Sequence, residues 1–285
     1  MFLRVTIPWL IMGCISSGAN PLRADESVPA HDSLKIESSR LAEPRLVNVW
    51  LPPGYLSDKT DGYPVLYMPD GGVGEDFPHV VTTVDALVRA GSIPPMLVVG
   101  IENTQRRRDM TGPTQVADDR RIATVVGGSA AFRAFIGDEL MPLIRKQYRV
   151  NDTSAIIGES VAALFIVETL FLQHELFDIY IAIDPSLWWN NEQWPREAGS
   201  WLGRMGTMNV RLLLATANAR GNRQVTMNLV EALCHYPKPG LNWSHDPHPE
   251  LRHDTIYRGT EKVMLEQAFS GTVDSSKACA GISPH

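Results

Sequence analysis

The chain has 285 residues, 44% hydrophobic and 20% charged, enough apolar material for a full core and close to the upper end of single-domain length. A formal charge of -6, with no basic run longer than Arg106-Arg107-Arg108, argues against a nucleic-acid surface and for small-molecule partners. No repeat or low-complexity tract breaks the chain, so one domain over residues 25–285 with a short C-terminal tail is expected.

Residues 1–24 read as an export signal. Arg4 supplies the positive end, Val5 to Ile15 an apolar run, and Leu22-Arg23-Ala24 a small-residue cleavage site before Asp25-Glu26. The run is too short to span a bilayer as a stable helix. A second cut would fall before Cys14, where Ile11-Met12-Gly13-Cys14 loosely matches a lipoprotein box and would anchor the chain by lipid. Both routes place the mature chain in the periplasm or on the envelope.

Asp25 to Glu43 is polar and mixed, either a linker or an opening strand. Leu46 to Leu51 alternates as a strand and ends at Pro52-Pro53-Gly54. Tyr63 to Met68 is a second strand, followed by the glycine-rich Pro69-Asp-Gly-Gly-Val-Gly74. Such a loop either lets backbone N–H groups approach a ligand, with Gly72 as a candidate oxyanion donor, or is a plain turn. Val80 to Ala90 is helical, and Met96 to Ile101 is a continuous apolar run, the pattern of a parallel strand covered on both faces. A helix over Ala130 to Tyr148, capped by Ser129, leads to the strand at Ser154. Strand Asp178 to Asp184, a tryptophan-rich loop, strand Val210 to Ala215, helix Gln224 to Leu233, a strand near Leu241 to Ser244 and a helix from Gly259 to Ser270 complete the chain. Strands alternating with helices predict an α/β fold with a mostly parallel sheet and helices on both faces.

The stretch Ser154 to Leu170 joins a buried strand to an apolar helix through Gly158-Glu-Ser160-Val-Ala162. This is the layout of a nucleophile elbow, in which strained backbone presents a serine hydroxyl and small neighbours let strand and helix pack closely. Ala162 stands where a second glycine is usual. The helix start places the Val161 N–H as a second candidate oxyanion donor. The plainer reading makes Ser160 an ordinary N-cap.

A serine nucleophile needs a base. On this layout the order is serine, acid, histidine, with the histidine in a loop near the end. Of the late histidines, His253 precedes the last helix and is the candidate; His245-Asp246-x-His248 matches no strong metal pattern and reads as a solvated loop. No metal and no cofactor are expected. The orienting acid is open between Asp184, favoured at the end of its strand, Glu250, and a serine–histidine dyad without an acid. Cys234 and Cys279 either pair in an oxidising compartment or stay unpaired thiols.

With these residues placed, the sequence resembles the esterase group of the α/β-hydrolase superfamily that includes enterobactin and salmochelin esterases, feruloyl and acetylxylan esterases and formylglutathione hydrolases. The resemblance runs from about Leu46 to Phe269 and rests on Tyr63 to Gly71, Ile93 to Thr104, Arg108 to Thr111, the elbow with Leu176-Phe-Asp178, and Ile183 to Asn190. These segments match the periplasmic siderophore-esterase branch better than the formylglutathione branch. The resemblance implies an α/β-hydrolase fold, Ser160 as nucleophile, His253 as base, and the N–H groups of Val161 and a residue near Gly72 as oxyanion hole. Three departures bear on catalysis: Ala162, the lack of a carboxylate near Asn218, where relatives often carry glutamate, and Asp184, where many relatives have serine, which is consistent with an acid moved between strands.

The expected activity is hydrolysis of carboxylic esters through an acyl-enzyme, on siderophore-type or aryl esters, with short-chain acyl esters as the alternative. The rival from another class is a degenerate, noncatalytic binding protein that keeps the pocket. Trp188 and Trp189 either line an aromatic substrate site or plug the core. Arg107 and Arg108 could meet an anionic substrate, unless Arg108 pairs with Asp109.

Overall fold

The computed structural model describes residues 28–282 apart from 59, 272 and 281. The expected export signal, the lipid-anchor residue Cys14 and the terminal His285 therefore lie outside the described residues.

Eight strands form one sheet: β1 Asp32–Ser38, β2 Glu43–Trp50, β3 Tyr63–Met68, β4 Leu97–Ile101, β5 Val150–Glu159, β6 Ile179–Ile183, β7 Val210–Thr216 and β8 Leu241–Pro247. Their order is β1-β2-β4-β3-β5-β6-β7-β8, antiparallel where β1 meets β2 and β2 meets β4 and parallel elsewhere. The helices are α1 Phe77–Arg89, α2 Arg106–Met110, α3 Ala117–Ile122, α4 Ser129–Phe135, α5 Met141–Gln147, α6 Val161–Leu172, α7 Trp189–Arg204, α8 Arg220–His235, α9 Ile256–Ser270 and α10 Ser276–Cys279.

The parallel strands β4 and β6 are buried at every position, LVVGI and IYIAI, because helices cover both faces. One face packs against α1 and α9 through Val80, Val84, Met264 and Leu265. The other carries the larger core, with Phe132, the apolar residues of α6 from Val161 to Phe171, and Leu229 of α8. Helix α6 is buried from Val161 to Phe171, as expected of a helix that is apolar all round and lies inside the protein. Each large side chain there contributes roughly 1.5–3 kcal/mol.

The polar stretch after Asp25 contains β1, a half-exposed edge strand antiparallel to β2. The tryptophan-rich segment after β6 is helix α7 rather than a loop, although Asn190, Asn191 and Glu192 near its start have left-handed φ of 51°, 54° and 57°. Ser129 is the first residue of α4 rather than its cap. Gly128 precedes it, and the Ser129 hydroxyl donates to the buried carboxylate of Glu168 in α6. The expected long helix is continuous from α4 to α5 through a π-helical turn at Ile136–Leu140. Cys234 of α8 and Cys279 of α10 form a disulfide, which settles the open question of their pairing and ties the tail to the body.

Candidate active site

The sheet brings the chemistry to the carboxyl ends of its strands, where open α/β sheets bind ligands. Successive ends are joined by backbone hydrogen bonds: Gly71 N–H to Ile101 O (2.9 Å), Ser160 N–H to Ile183 O (3.0 Å), Asp184 N–H to Ala215 O (2.8 Å) and His248 N–H to Thr216 O (2.7 Å). Three residues just past these ends are non-glycine with positive φ: Asp70 (56°), Ser160 (62°) and Asp184 (44°). Left-handed backbone costs on the order of 1–3 kcal/mol at each such position and persists only where the surroundings fix it. Here those three turns carry polar groups of the site.

At Ser160 the chain leaves β5 and α6 begins at once, so the hydroxyl stands at the helix N-terminus, where the Val161 N–H has no partner within the helix. Gly158 explains why alanine is accepted at 162. A Cβ on residue 158 would lie 2.7 Å from the Ala162 methyl, so glycine on the strand leaves room for that methyl on the helix.

Ser160 Oγ lies 3.1 Å from His253 Nε2, and His253 Nδ1 lies 2.5 Å from Asp184 Oδ2. Asp184 is fully buried. Its other oxygen accepts the Ala217 N–H at 3.1 Å, and Asn222 of α8 donates its amide to Oδ2 at 3.1 Å. The hydrogen bond to Asp184 is the main cause that raises the His253 pKa above the usual histidine value, with the nearby Glu159 carboxylate adding to it and burial opposing it. Ser186 Oγ also lies 3.2 Å from Ser160 Oγ. A hydroxyl, an imidazole and a buried carboxylate in this chain can move the hydroxyl proton to Nε2 and hold the resulting imidazolium, the requirement for a serine nucleophile.

Glu250 is elsewhere: its carboxylate accepts from His248 Nδ1 at 2.9 Å. His248 is also 3.1 Å from Asp246, and His245 is turned inward, its Nε2 2.9 Å from Thr216 Oγ1, with burial lowering its pKa to about 4. Glu159, Asp184 and His253 offer ligand atoms within 4.8 Å of one another. However, the two carboxylates face opposite nitrogens of the ring, Asp184 at Nδ1 and Glu159 at Nε2, so one ion could not be bound by all three without breaking the Asp184–His253 bond.

Other expected residues fall differently. The Gly72 N–H points at the Glu75 carboxylate, 2.7 Å away, and is engaged there. Trp189 is 3% exposed in the larger core and donates its indole N–H to Gly112 O at 3.3 Å, so it is a core residue and does not line a substrate surface. Trp188 is only partly buried against that core. Arg107 is exposed and reaches the Ile122 carbonyl at 3.4 Å. Arg108 pairs with Asp109 at 2.7 Å and Glu43 at 2.6 Å. The arginine at the site is Arg106. It binds Asp70 through two 2.7 Å hydrogen bonds and reaches the Glu159 carbonyl at 3.4 Å, clamping the glycine-rich loop to the elbow.

Sequence reasoning passed over Arg106, Asn222, Glu75 and Glu159. Arg106 differs from its neighbours only in its phase on a five-residue helix, and Asn222 and Glu75 act through contacts with other elements. Glu159 had a signal, since the residue between Gly158 and the serine must lie beside the reacting groups.

The family described as "Putative esterase" matches residues 38–229. Among curated proteins, the ferri-bacillibactin esterase BesA of Bacillus subtilis is 28% identical over 189 residues, 59% of this chain and 63% of that protein. The siderophore triacetylfusarinine C esterase of Aspergillus fumigatus is 27% identical over 183 residues, 58% of each chain. The match thus spans about three fifths of the length of these relatives. Among solved structures, an IroE-like serine hydrolase from Shewanella oneidensis superposes with a TM-score of 0.78 at 26% identity, covering 86% of this chain and 82% of that one. With its mostly parallel sheet and a family match over most of its length, the chain belongs to this esterase family of the α/β hydrolases.

Proposed function

We propose that the protein is a serine carboxylic-ester hydrolase working through an acyl-enzyme, with Ser160 as nucleophile, His253 as base and Asp184 as orienting acid. The observation that carries this reading is the continuous chain from Ser160 Oγ to His253 Nε2 (3.1 Å) and from Nδ1 to the buried Asp184 (2.5 Å). His253 takes the hydroxyl proton as Oγ attacks the ester carbonyl, and Asp184 stabilises the imidazolium. The Val161 N–H faces the developing oxyanion, and the Gly72 N–H joins it once the substrate oxygen displaces Glu75. The Nε2 proton then passes to the leaving alcohol. Water, deprotonated by the same base, releases the acid.

Both grounds for a noncatalytic reading lose force, because Asp184 lies on His253 and Ala162 packs on Gly158. Turnover of p-nitrophenyl butyrate tests the proposal: Ser160→Ala should fall to background, and an unchanged rate would reject it.

For substrate, the named activities of the relatives, ferri-bacillibactin and triacetylfusarinine C esterases, favour siderophore-type esters over short-chain acyl esters. A panel of a catecholate trilactone, a feruloyl ester and p-nitrophenyl butyrate ranks the classes, and fastest turnover of the butyrate would reverse the order. Residues 25–285 are read as one exported domain, anchored to the membrane by lipid only if Cys14 is acylated. The Cys234–Cys279 bond supports an oxidising compartment. No helix among the described residues is long and apolar enough to cross a membrane. Mass spectrometry of the mature N-terminus tests this, with an intact Met1 in the cytosol as the contrary result.

A further inference from the structure

One carboxylate at the site has no role in the scheme above. Glu159 Oε1 is 3.2 Å from His253 Nε2, the same nitrogen that faces Ser160 Oγ at 3.1 Å. That oxygen is shut off from solvent and has no hydrogen-bond partner, so it sits close to Nε2 without an aligned N–H. A buried acceptor left without a donor is destabilised, and it would gain a donor if the ring carried a second proton. The groups facing Glu159 come from four elements and the segments beside them: His253 ahead of α9 and Tyr257 within it, Arg106 of α2, Asp184 after β6, and Asp76 before α1. Arg106 is committed to Asp70 and reaches only the Glu159 carbonyl. Among the described residues, His253 is therefore the cation placed to satisfy Oε1.

We propose that Glu159 is a positioning residue for the base: it draws the protonated His253 ring onto its carboxylate through Nε2–H and leaves Nε2 to Ser160 when the ring loses that proton. This rests on the serine-hydrolase reading for its consequence in catalysis, but not for the proton equilibrium itself. In the doubly protonated ring, Nδ1–H donates to Asp184 and Nε2–H to Glu159, so the base is occupied and the serine is not activated. Loss of the Nε2 proton to solvent breaks the second bond and leaves the lone pair facing the Ser160 hydroxyl. During acyl transfer the serine proton arrives on Nε2, where Glu159 stabilises the imidazolium beside Asp184 until the proton passes to the leaving alkoxide. Burial, the largest influence on Glu159, lifts its pKa to about 7, while the His253 and Arg106 charges oppose that rise.

The test separates this claim from the assignment of activity. The Cε1–H resonance of His253, identified as the peak lost in His253→Gln, is titrated by NMR in the wild type and in Glu159→Gln, a near-isosteric change that removes the charge and one acceptor oxygen. The midpoint should fall in Glu159→Gln by on the order of one pH unit, a tenfold change in proton affinity. It should recover at least partly in Glu159→Asp, and the acid limb of kcat/KM for p-nitrophenyl butyrate should move the same way. A purely structural role would lower melting temperature or rate without moving the midpoint. An unmoved midpoint in folded Glu159→Gln overturns the inference while the esterase reading stands. A moved midpoint without esterase activity supports it and rejects only the catalytic consequence.

Discussion

Asp184→Asn is the substitution for which the structure gives the sharpest expectation. The native carboxylate is wholly buried and receives three donors: the Ala217 N–H on one oxygen, and the Asn222 amide and His253 Nδ1 on the other. An amide keeps the shape but has only one acceptor oxygen. If that oxygen faces Ala217, the new NH2 meets His253 Nδ1 and stabilises the ring with its proton on Nε2, the tautomer that cannot accept the serine proton. If it faces His253, the NH2 opposes the Ala217 N–H, at a cost of about 1–3 kcal/mol for the unsatisfied donor. The first arrangement sets the new NH2 against the Asn222 amide, which keeps the residue 184 carbonyl as a partner at 3.3 Å, so kcat should fall by about 10⁴, or about 5 kcal/mol in the barrier. The second predicts a loss of stability instead. The assay is kcat for p-nitrophenyl butyrate, with thermal unfolding measured on the same preparation. A folded variant with less than roughly tenfold loss would refute Asp184 as the orienting acid, and Glu250→Gln should stay near wild type because its carboxylate serves His248.

The remaining predictions concern the elbow, the oxyanion loop and the tail. Gly158→Ala forces its methyl to 2.7 Å from the Ala162 Cβ and should cost about 1–3 kcal/mol in denaturant unfolding along with most activity; a neutral effect would show that the elbow relaxes freely. Glu75→Ala removes the competitor for the Gly72 N–H and should raise kcat/KM several-fold, whereas a tenfold fall would mean that Glu75 chiefly holds the loop in register. Cys279→Ser opens a link across a sequence separation of 45 residues, and chain entropy puts the loss at about 4 kcal/mol. It should lower the melting temperature and leave KM unchanged, and an unaltered melting temperature would argue that the tail adds nothing to stability.

What could be read from the sequence followed from local chemistry. Buried parallel strands such as Leu97–Ile101 and Ile179–Ile183 announce themselves as unbroken apolar runs. The apolar α6 directly after a small-residue turn marks the elbow by the same logic. Edge strand β1 has no such signal, since its half-exposed residues are specified by pairing with β2 rather than by their own hydrophobicity. Helix α7 reads as a loop in the sequence because Asn190, Asn191 and Pro195 are poor helix formers, yet its tryptophans hold it against the core. Whether an indole faces substrate or core is likewise decided by packing at a distance in sequence, which is why the sequence leaves both readings of Trp189 open and its burial selects the core. The same limit explains Arg106: three consecutive arginines are equivalent on paper, and only the turn of α2 points the first at Asp70. Strand ends are legible, so the sequence favours Asp184 as the acid, but its contact with His253, 69 residues away in sequence, is made by the fold.

The central claim is that Ser160 becomes acylated. Rapid mixing with p-nitrophenyl butyrate, acid quench and peptide mapping by mass spectrometry tests it most directly. The account predicts a single butyryl adduct on the peptide containing Ser160, absent in Ser160→Ala. An adduct on another residue, or full turnover by Ser160→Ala, would contradict it.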